Sequence, residues 1–289
     1  MHIYFIIFNL LLQKNTKEEI KEGKKVMSET SIVPVEQQPG SNILPEKRKT
    51  ISEGKIKSTE DNYRNNLRSF IDVLRKIKNE KLLTISHTKY LQNLPFYKFI
   101  HMIYIGIIPA KENTKNSTTI DIIIKAYRKN LNCFQFGDML LTFTEDDISQ
   151  FLSIPTEGQQ IKTSGHMKKE GKSNAEFTSF ISRHFKGETS VNKKNIEREL
   201  FATIKGSSKE EQADTAKLLQ LHLVATFLIS NPNSSISWNM IPYCVCEDKM
   251  QQISWPKTIH KHLINQIEKY IDTPRKINAC VTLLLVLNF

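Results

Sequence analysis

The feature that most constrains this fold is the stretch from Ala213 to Ser230, which is apolar on nearly every side of a helix. Asp214, Lys217 and His222 interrupt it, so a central buried helix is favoured over a membrane span. A helix that is apolar all round has to be covered by other elements. The chain is therefore predicted to form a mainly α, multi-helix domain around this segment.

The segments that would cover the central helix repeat their apolar residues at helical spacing. The first begins near Tyr63 and is basic on its other faces, and the second follows Pro95 and ends at Pro109. A third is predicted from the capping-box spacing of Thr118 and Asp121. Further helices are predicted at 175–185, 192–204, 238–246 and 256–271, with an apolar run from Ile277.

One small β-hairpin is predicted between the helices. Phe134 and Phe136 alternate with polar residues, Gly137-Asp138 forms a two-residue turn, and Leu141 and Phe143 alternate on the return. A clear helix start follows directly. Thr144 has the position of an N-cap, Asp147 is the third helical residue, and Phe143 and Ile148 have the spacing of a hydrophobic staple. Pro155 is predicted to close this helix.

Residues 1–60 are predicted to form a disordered tail, because from Gln13 onwards they are polar and lack periodicity. Ile3 to Leu12 is apolar, but it is too short to span a bilayer and lacks the basic start and cleavage site of a signal peptide. The pattern favours Met27 as the true initiator. The helical domain is predicted over 61–289, and the apolar run that reaches Phe289 indicates that the native protein continues beyond it.

Positive charge is concentrated in the first part of the predicted domain. The chain carries a formal net charge of +11. Residues 64–129 hold 13 Lys/Arg against 4 Asp/Glu, whereas 130–160 hold 5 acids and no Lys/Arg. Nucleic acid and an acidic protein surface are both candidate partners, and a solvated helix face is the structural alternative. The cluster Lys47-Arg48-Lys49 has the composition of a weak nuclear-import signal.

The residues whose side chains could take part in catalysis or metal binding are better explained by structural roles. Four scattered cysteines indicate reduced thiols, and Cys280 lies in an apolar run without a neighbouring histidine. Cys244-x-Cys246, with His260 or His262, is the best metal candidate, but zinc pairs usually have two to four intervening residues. Helix capping explains the acids 145–147, and both tryptophans are predicted as core anchors. We therefore expect no enzymatic activity, cofactor, metal or small-molecule ligand.

The segment from Phe134 to Pro155 resembles the signature of plant mobile domains, a family also labelled aminotransferase-like. Its strand pair, acidic helix start and proline ending match this chain, with Ser153 in place of the usual Gly. Stretches at 227–235, 253–259 and 277–285 are similar to later family motifs, with Ala279 in place of the Gly before Cys280. The residues singled out as structural markers of the family are Phe136, Gly137, Thr144, Asp147, Ile148, Pro155 and Trp255.

The resemblance implies a non-enzymatic protein-interaction module of transposable-element origin, with a nuclear role in transposon biology or silencing; a cytoplasmic location is the alternative. A second interpretation is sequence-nonspecific binding of nucleic acid by the basic 64–129 surface. A third follows from relatives that carry a ubiquitin-like-protein-specific cysteine protease, of which this chain would be an accessory fragment. Protein partners are expected in the first interpretation, and no membrane association is expected in any.

Overall fold

The computed structural model describes residues 67–108, 117–163, 174–231, 234–274 and 277–286. Its first three helices are α1 (Leu67–Asn79), α2 (Ile85–Gln92) and α3 (Tyr97–Ile105). The apolar residues that repeat at helical spacing in α1 are all buried: Leu67, Phe70, Ile71, Leu74 and Ile77. α2 was not predicted, and a capping box between Thr84 and His87 starts it. α3 ends at Gly106, whose φ of 91° lies in the left-handed region.

The next unit places a small antiparallel sheet between two helices. α4 (Ser117–Ala126) begins one residue before the predicted cap Thr118 and runs into β1 (Tyr127–Arg128). β2 (Cys133–Phe136) and β3 (Met139–Leu141) form the predicted hairpin, with Phe136 opposite Met139. β1 pairs with the other side of β2, so the sheet has three strands, one more than the predicted hairpin.

Helix α5 (Glu145–Leu152) follows the sheet and starts where the sequence predicted. It ends earlier than expected, because Ser153 adopts a left-handed conformation with φ of 55°. The prediction that Pro155 closes it was wrong, because the helix ends at Leu152 and Pro155 lies beyond the C-cap Ser153. α6 (Ala175–His184) and α7 (Lys193–Thr203) agree with the two predicted helices. A two-stranded sheet was missed, in which β4 (Val191–Asn192) pairs with β5 (Ser235–Ile236).

The predicted central helix is α8 (Lys209–Leu223), continued by a π-helical segment Val224–Leu228. It begins earlier than expected because Ser208 and Glu211 form a capping box. α8 packs against α1, α2, α7 and α9 (Pro242–Val245). Nine residues from Asp214 onwards in α8 and all five of the π segment are buried. The prediction of a helix at the centre of the core is therefore confirmed.

The last elements of the chain pack against α4, α5 and α8. α9 and α10 (Glu247–Met250) are short, so the predicted 238–246 helix is reduced to one turn. α11 (Trp255–Asp272) has Pro256 in its first turn as predicted and packs on α5. A 3-10 helix, Val281–Val286, contacts α4 and α5. In the described part of the chain the domain is mainly helical with small antiparallel sheets, which confirms the predicted fold class.

Among the described residues, no helix combines the length and apolarity that crossing a bilayer requires. Several sequence predictions lie outside the described residues: the tail 1–60, Met27, the basic cluster 47–49 and the terminal residue Phe289. The prediction that the second helix extends to Pro109 was wrong, because α3 ends at Ile105 with Gly106 as its C-cap.

Candidate functional site

The family-marker residues between Phe136 and Pro155 take part in local structure. Gly137 occupies the turn between β2 and β3 with φ of 58°. The backbone N–H of Thr144 donates to Asp147 Oδ2 at 2.7 Å, and the Asp147 N–H donates back to Thr144 Oγ1 at 3.4 Å. Ile148 is fully buried. This capping box, predicted from the sequence, fixes the start of α5.

Trp255 is the first residue of α11 and lies in the core. Its ring meets Phe96 edge-on, with centroids 5.0 Å apart. The preceding residue, Ser254, donates its hydroxyl to the Thr156 carbonyl at 2.7 Å. Gly158 lies against the backbone that leads into α11. A Cβ on Gly158 would come within 2.7 Å of the Ile253 carbonyl carbon. The 155–159 segment is thus attached directly to the start of α11.

The residues proposed for a metal site are not brought together. His260 faces the Phe143 carbonyl at 2.9 Å, and His262 faces the Asn278 carbonyl at 3.0 Å, on another side of α11. Cys246 instead lies within 4.8 Å of carboxylate oxygens of Glu176 and Asp248. Glu176 already pairs with Lys217, whose Nζ is 2.6 Å away, and burial raises the pKa of the Cys246 thiol to about 12. A protonated thiol is a poor metal ligand.

A charged network joins α6 to α8. Asp214 is buried and accepts hydrogen bonds from Arg183 Nε and from His184 Nε2, both at 2.8 Å. Burial alone would raise the pKa of Asp214, but the hydrogen bonds of His184 and Arg183 outweigh it and hold the pKa below its usual value. Glu210 extends the network to the surface through Arg183. These contacts stabilise the packing of the two helices.

A second histidine–carboxylate pair joins α7 to α8. His222 is fully buried, its Nε2 lies 2.9 Å from Glu197 Oε1, and its ring stacks on Phe70 of α1 with centroids 5.7 Å apart. Burial lowers the pKa of His222, although Glu197 opposes this shift. The imidazole is therefore neutral near pH 7. It connects three helices behind an open surface groove.

This groove lies between α1 and α7 and has a volume of about 490 Å³. α1 contributes one continuous face and α7 contributes residues at every fourth position. The lining residues are Arg68, Ser69, Asp72, Val73, Lys76, Lys193, Glu197 and Phe201. Three of these are cations, two are carboxylates and one is aromatic.

Two contacts fix the direction of α7 relative to α1. His222 touches both Phe70 and Glu197, which places those two residues at one level. Further along, Lys76 Nζ lies over the Phe201 ring, 4.3 Å from its centroid. Residue numbers increase in both helices from the first contact to the second, so the two contacts indicate the same chain direction for α1 and α7. Arg68 and Lys193 consequently lie towards one end, and Asp72 lies near Glu197 in the middle.

The ion pairs that Asp72 and Glu197 form with lysine and arginine all run along one helix. Asp72 pairs with Arg68 and with Arg75 on α1, and Glu197 pairs with Lys193 on α7. Among the described residues, no ion pair joins α1 to α7 across the groove. The carboxylate of Asp72 is half exposed and the side chain of Arg68 is 74% exposed. These charges are accessible to a partner.

The groove continues into a wider basic surface. Residues 67–108 contain seven exposed Lys and Arg residues and only two acids, Asp72 and Glu80. Sequence analysis predicted this concentration of charge, but it did not predict that Lys193 and Phe201 of α7 would join it. Those residues are far from α1 in sequence, and no local motif links the two helices.

Comparison with protein families gives one match. The model of the family described as "Domain of unknown function (DUF8566)" matches residues 63–285. No curated protein and no solved structure matches the chain. The matched range contains every described helix and strand except the last residue of the 3-10 helix, and it includes both sides of the groove. The chain therefore belongs to the DUF8566 family.

Proposed function

We propose that this chain is a non-catalytic protein-interaction module that binds an acidic partner segment in the α1–α7 groove. The observation that carries the proposal is the convergence of Arg68, Lys76 and Lys193 on one open groove, with no carboxylate from the opposite helix neutralising them. Complementary charge raises the rate of encounter and discriminates between partners.

The lining of the groove favours a protein over a nucleic acid. Val73 and Phe201 offer apolar contact beside the charged side chains, which a protein segment can use and a phosphate backbone cannot. Protein interfaces combine such apolar contact with a polar, charged rim. The resemblance to plant mobile domains supports the same interpretation, because it implies a nuclear role exercised through protein partners.

A charge-reversal experiment tests this proposal. The variant Lys76→Glu/Lys193→Glu is compared with Lys186→Glu/Lys261→Glu, which changes the net charge equally at exposed positions outside the groove. The probe is a fluorescent 20-residue polyglutamate peptide, measured by anisotropy at 150 mM salt. We expect the groove variant to lose about tenfold in affinity, since each surface ion pair contributes about 0.2–1 kcal/mol and reversal adds repulsion. Equal losses in both variants would contradict binding in the groove.

Nucleic-acid binding is a second candidate, favoured by the seven exposed cations of residues 67–108. It predicts that affinity for a duplex DNA probe falls steeply with salt, with a logarithmic slope of about −0.9 per phosphate contacted. Reversal of Lys89 and Lys98, which are exposed and outside the groove, should then reduce DNA binding more than peptide binding. Absence of DNA binding at 50 mM salt would exclude this candidate.

The accessory-fragment interpretation stays a prediction, which sequencing of the native transcript past Phe289 tests.

A further inference from the structure

The charges that line the α1–α7 groove are ordered in layers. Arg68 and Lys193 supply positive charge at one end, Asp72 and Glu197 supply negative charge in the middle, and Lys76 lies over Phe201 at the other end. In the first two layers, therefore, like charges of the two helices lie at the same level, and the third layer holds the single cation Lys76. Like charges repel one another within a layer and are compensated by ion pairs along each helix, so a side chain of opposite charge that enters between the helices adds an attraction to both.

We infer that the groove takes an α-helical segment of the partner protein that presents an acid, a base and an acid, each one turn after the other. The inference rests on the proposed function and adds the charge pattern that the partner must carry. The first acid meets Arg68 and Lys193, the base meets Asp72 and Glu197, and the second acid meets Lys76.

The spacing of the layers matches a helix. Arg68, Asp72 and Lys76 are four residues apart on α1, as are Lys193, Glu197 and Phe201 on α7. Four residues rise about 6 Å along a helix, so side chains at positions i, i+4 and i+8 of a partner helix advance at the same rate as the layers. A helix laid in a surface groove is a recurrent mode of peptide recognition.

The middle layer is the specificity element. Its two carboxylates are held by other side chains of the protein, Asp72 by Arg75 of the same helix at 3.0 Å and Glu197 by His222 of α8 at 2.9 Å. A uniformly acidic helix would bring a third negative charge against them. A base at this position instead completes the layer, so the groove prefers a segment of lower net charge over one that is more acidic.

Three alanine-based helical peptides test this preference on the full chain. They carry Glu-Lys-Glu, Lys-Glu-Lys or Glu-Glu-Glu at positions one turn apart, and binding is followed by NMR titration of the ¹⁵N-labelled protein at 150 mM salt. We expect Glu-Lys-Glu to bind about fivefold more tightly than Glu-Glu-Glu, although the chain's net charge of +11 favours the latter at long range. Lys-Glu-Lys should bind most weakly, because every layer then repels it.

The variant Asp72→Lys tests the middle layer without touching the buried His222 pair. It should reverse the preference in favour of Glu-Glu-Glu, whereas Glu157→Lys, the same charge change at an exposed position outside the groove, should leave the order unchanged. An unchanged order in Asp72→Lys, or no binding of any peptide, overturns the inference. If polyglutamate binding depends on Lys76 and Lys193 while Glu-Lys-Glu has no advantage, the proposed function stands and this inference fails.

Discussion

At the scale of single residues, Gly158 occupies the most demanding backbone position described. Its φ is 104°, a conformation that side-chain-bearing residues rarely adopt, and the backbone of residues 252–254 lies directly over its Cα. The contact is reinforced by the Gln159 N–H, which donates to the Gln252 carbonyl at 2.8 Å. Gly158 therefore allows the segment after α5 to reach the start of α11.

We predict that Gly158→Ala lowers the free energy of unfolding by about 2–3 kcal/mol, because it combines left-handed strain with a clash against backbone atoms. Gly137→Ala is the matched control. Gly137 also has a positive φ, of 58°, but no atom lies within 4 Å of its added Cβ, so a loss of about 1 kcal/mol is expected from strain alone. Urea denaturation measures both values. Equal losses would show that the close approach to Ile253 does not contribute.

Ser153 shows how far the backbone conformation of one residue can be predicted from the sequence. The resemblance to plant mobile domains places Gly at this position, and the structure gives Ser153 the left-handed conformation that glycine favours. The sequence alone placed the end of α5 at Pro155, since proline cannot continue a helix. The conformation of Ser153 depends on contacts that form only in the folded chain. One of them is the hydrogen bond that the Ser149 hydroxyl donates to the Ile154 carbonyl at 2.6 Å.

At the scale of helices and strands, elements with a local signal were predictable. The capping box of α5 and the apolar stripe of α1 each depend on residues that are close together in the sequence. β1, β4 and β5 were missed because each has only two residues and depends on a partner strand. The π segment after α8 was missed for a similar reason. Its geometry includes the Thr226 hydroxyl donating to the His222 carbonyl at 2.7 Å, which periodicity does not encode.

The pairing of α7 with α8 through His222 leads to a pH dependence. Burial lowers the pKa of His222 below its usual 6.5 in the folded chain. Between the two pKa values, the unfolded chain is protonated and the folded chain is not, so acidification favours unfolding. Stability is therefore full above about pH 6.5 and falls as the pH drops, at up to about 1.4 kcal/mol per unit for this one group.

We expect the free energy of unfolding to decrease between pH 7.5 and 5.5, and His222→Gln to show a shallower decrease. Glutamine retains an amide donor for Glu197 but does not titrate in this range. Burial also lowers the pKa of His262 and His87, so part of the slope should remain in the variant. Urea denaturation at pH 7.5, 6.5 and 5.5 provides the comparison. An identical slope in both proteins would mean that His222 is not the buried neutral group described above.

At the scale of the whole molecule, the helical class and the central position of α8 follow from hydrophobic pattern, whereas the groove does not. The basic face of α1 is evident in the sequence, but Lys193 and Phe201 reach it through the packing of α7 against α8, which includes the Glu197–His222 contact. The relative direction of two helices separated by more than a hundred residues is set by such tertiary contacts. Pattern analysis therefore predicted the charge of the site and missed its shape.

The packing of α1, α2, α7 and α9 around α8 predicts the order in which the molecule opens. Residues 218–223 of α8 are fully buried, whereas α2 is short and begins at Ile85, which is 81% exposed. Amides in well-covered elements exchange with solvent only through global unfolding, and those in thinly covered elements exchange through local opening. We expect α8 amides to exchange slowest, with an opening free energy equal to that of global unfolding, and α2 amides to exchange faster. Native-state hydrogen exchange followed by NMR, at several urea concentrations, measures both; α2 amides as protected as those of α8 would show that the domain has no such hierarchy.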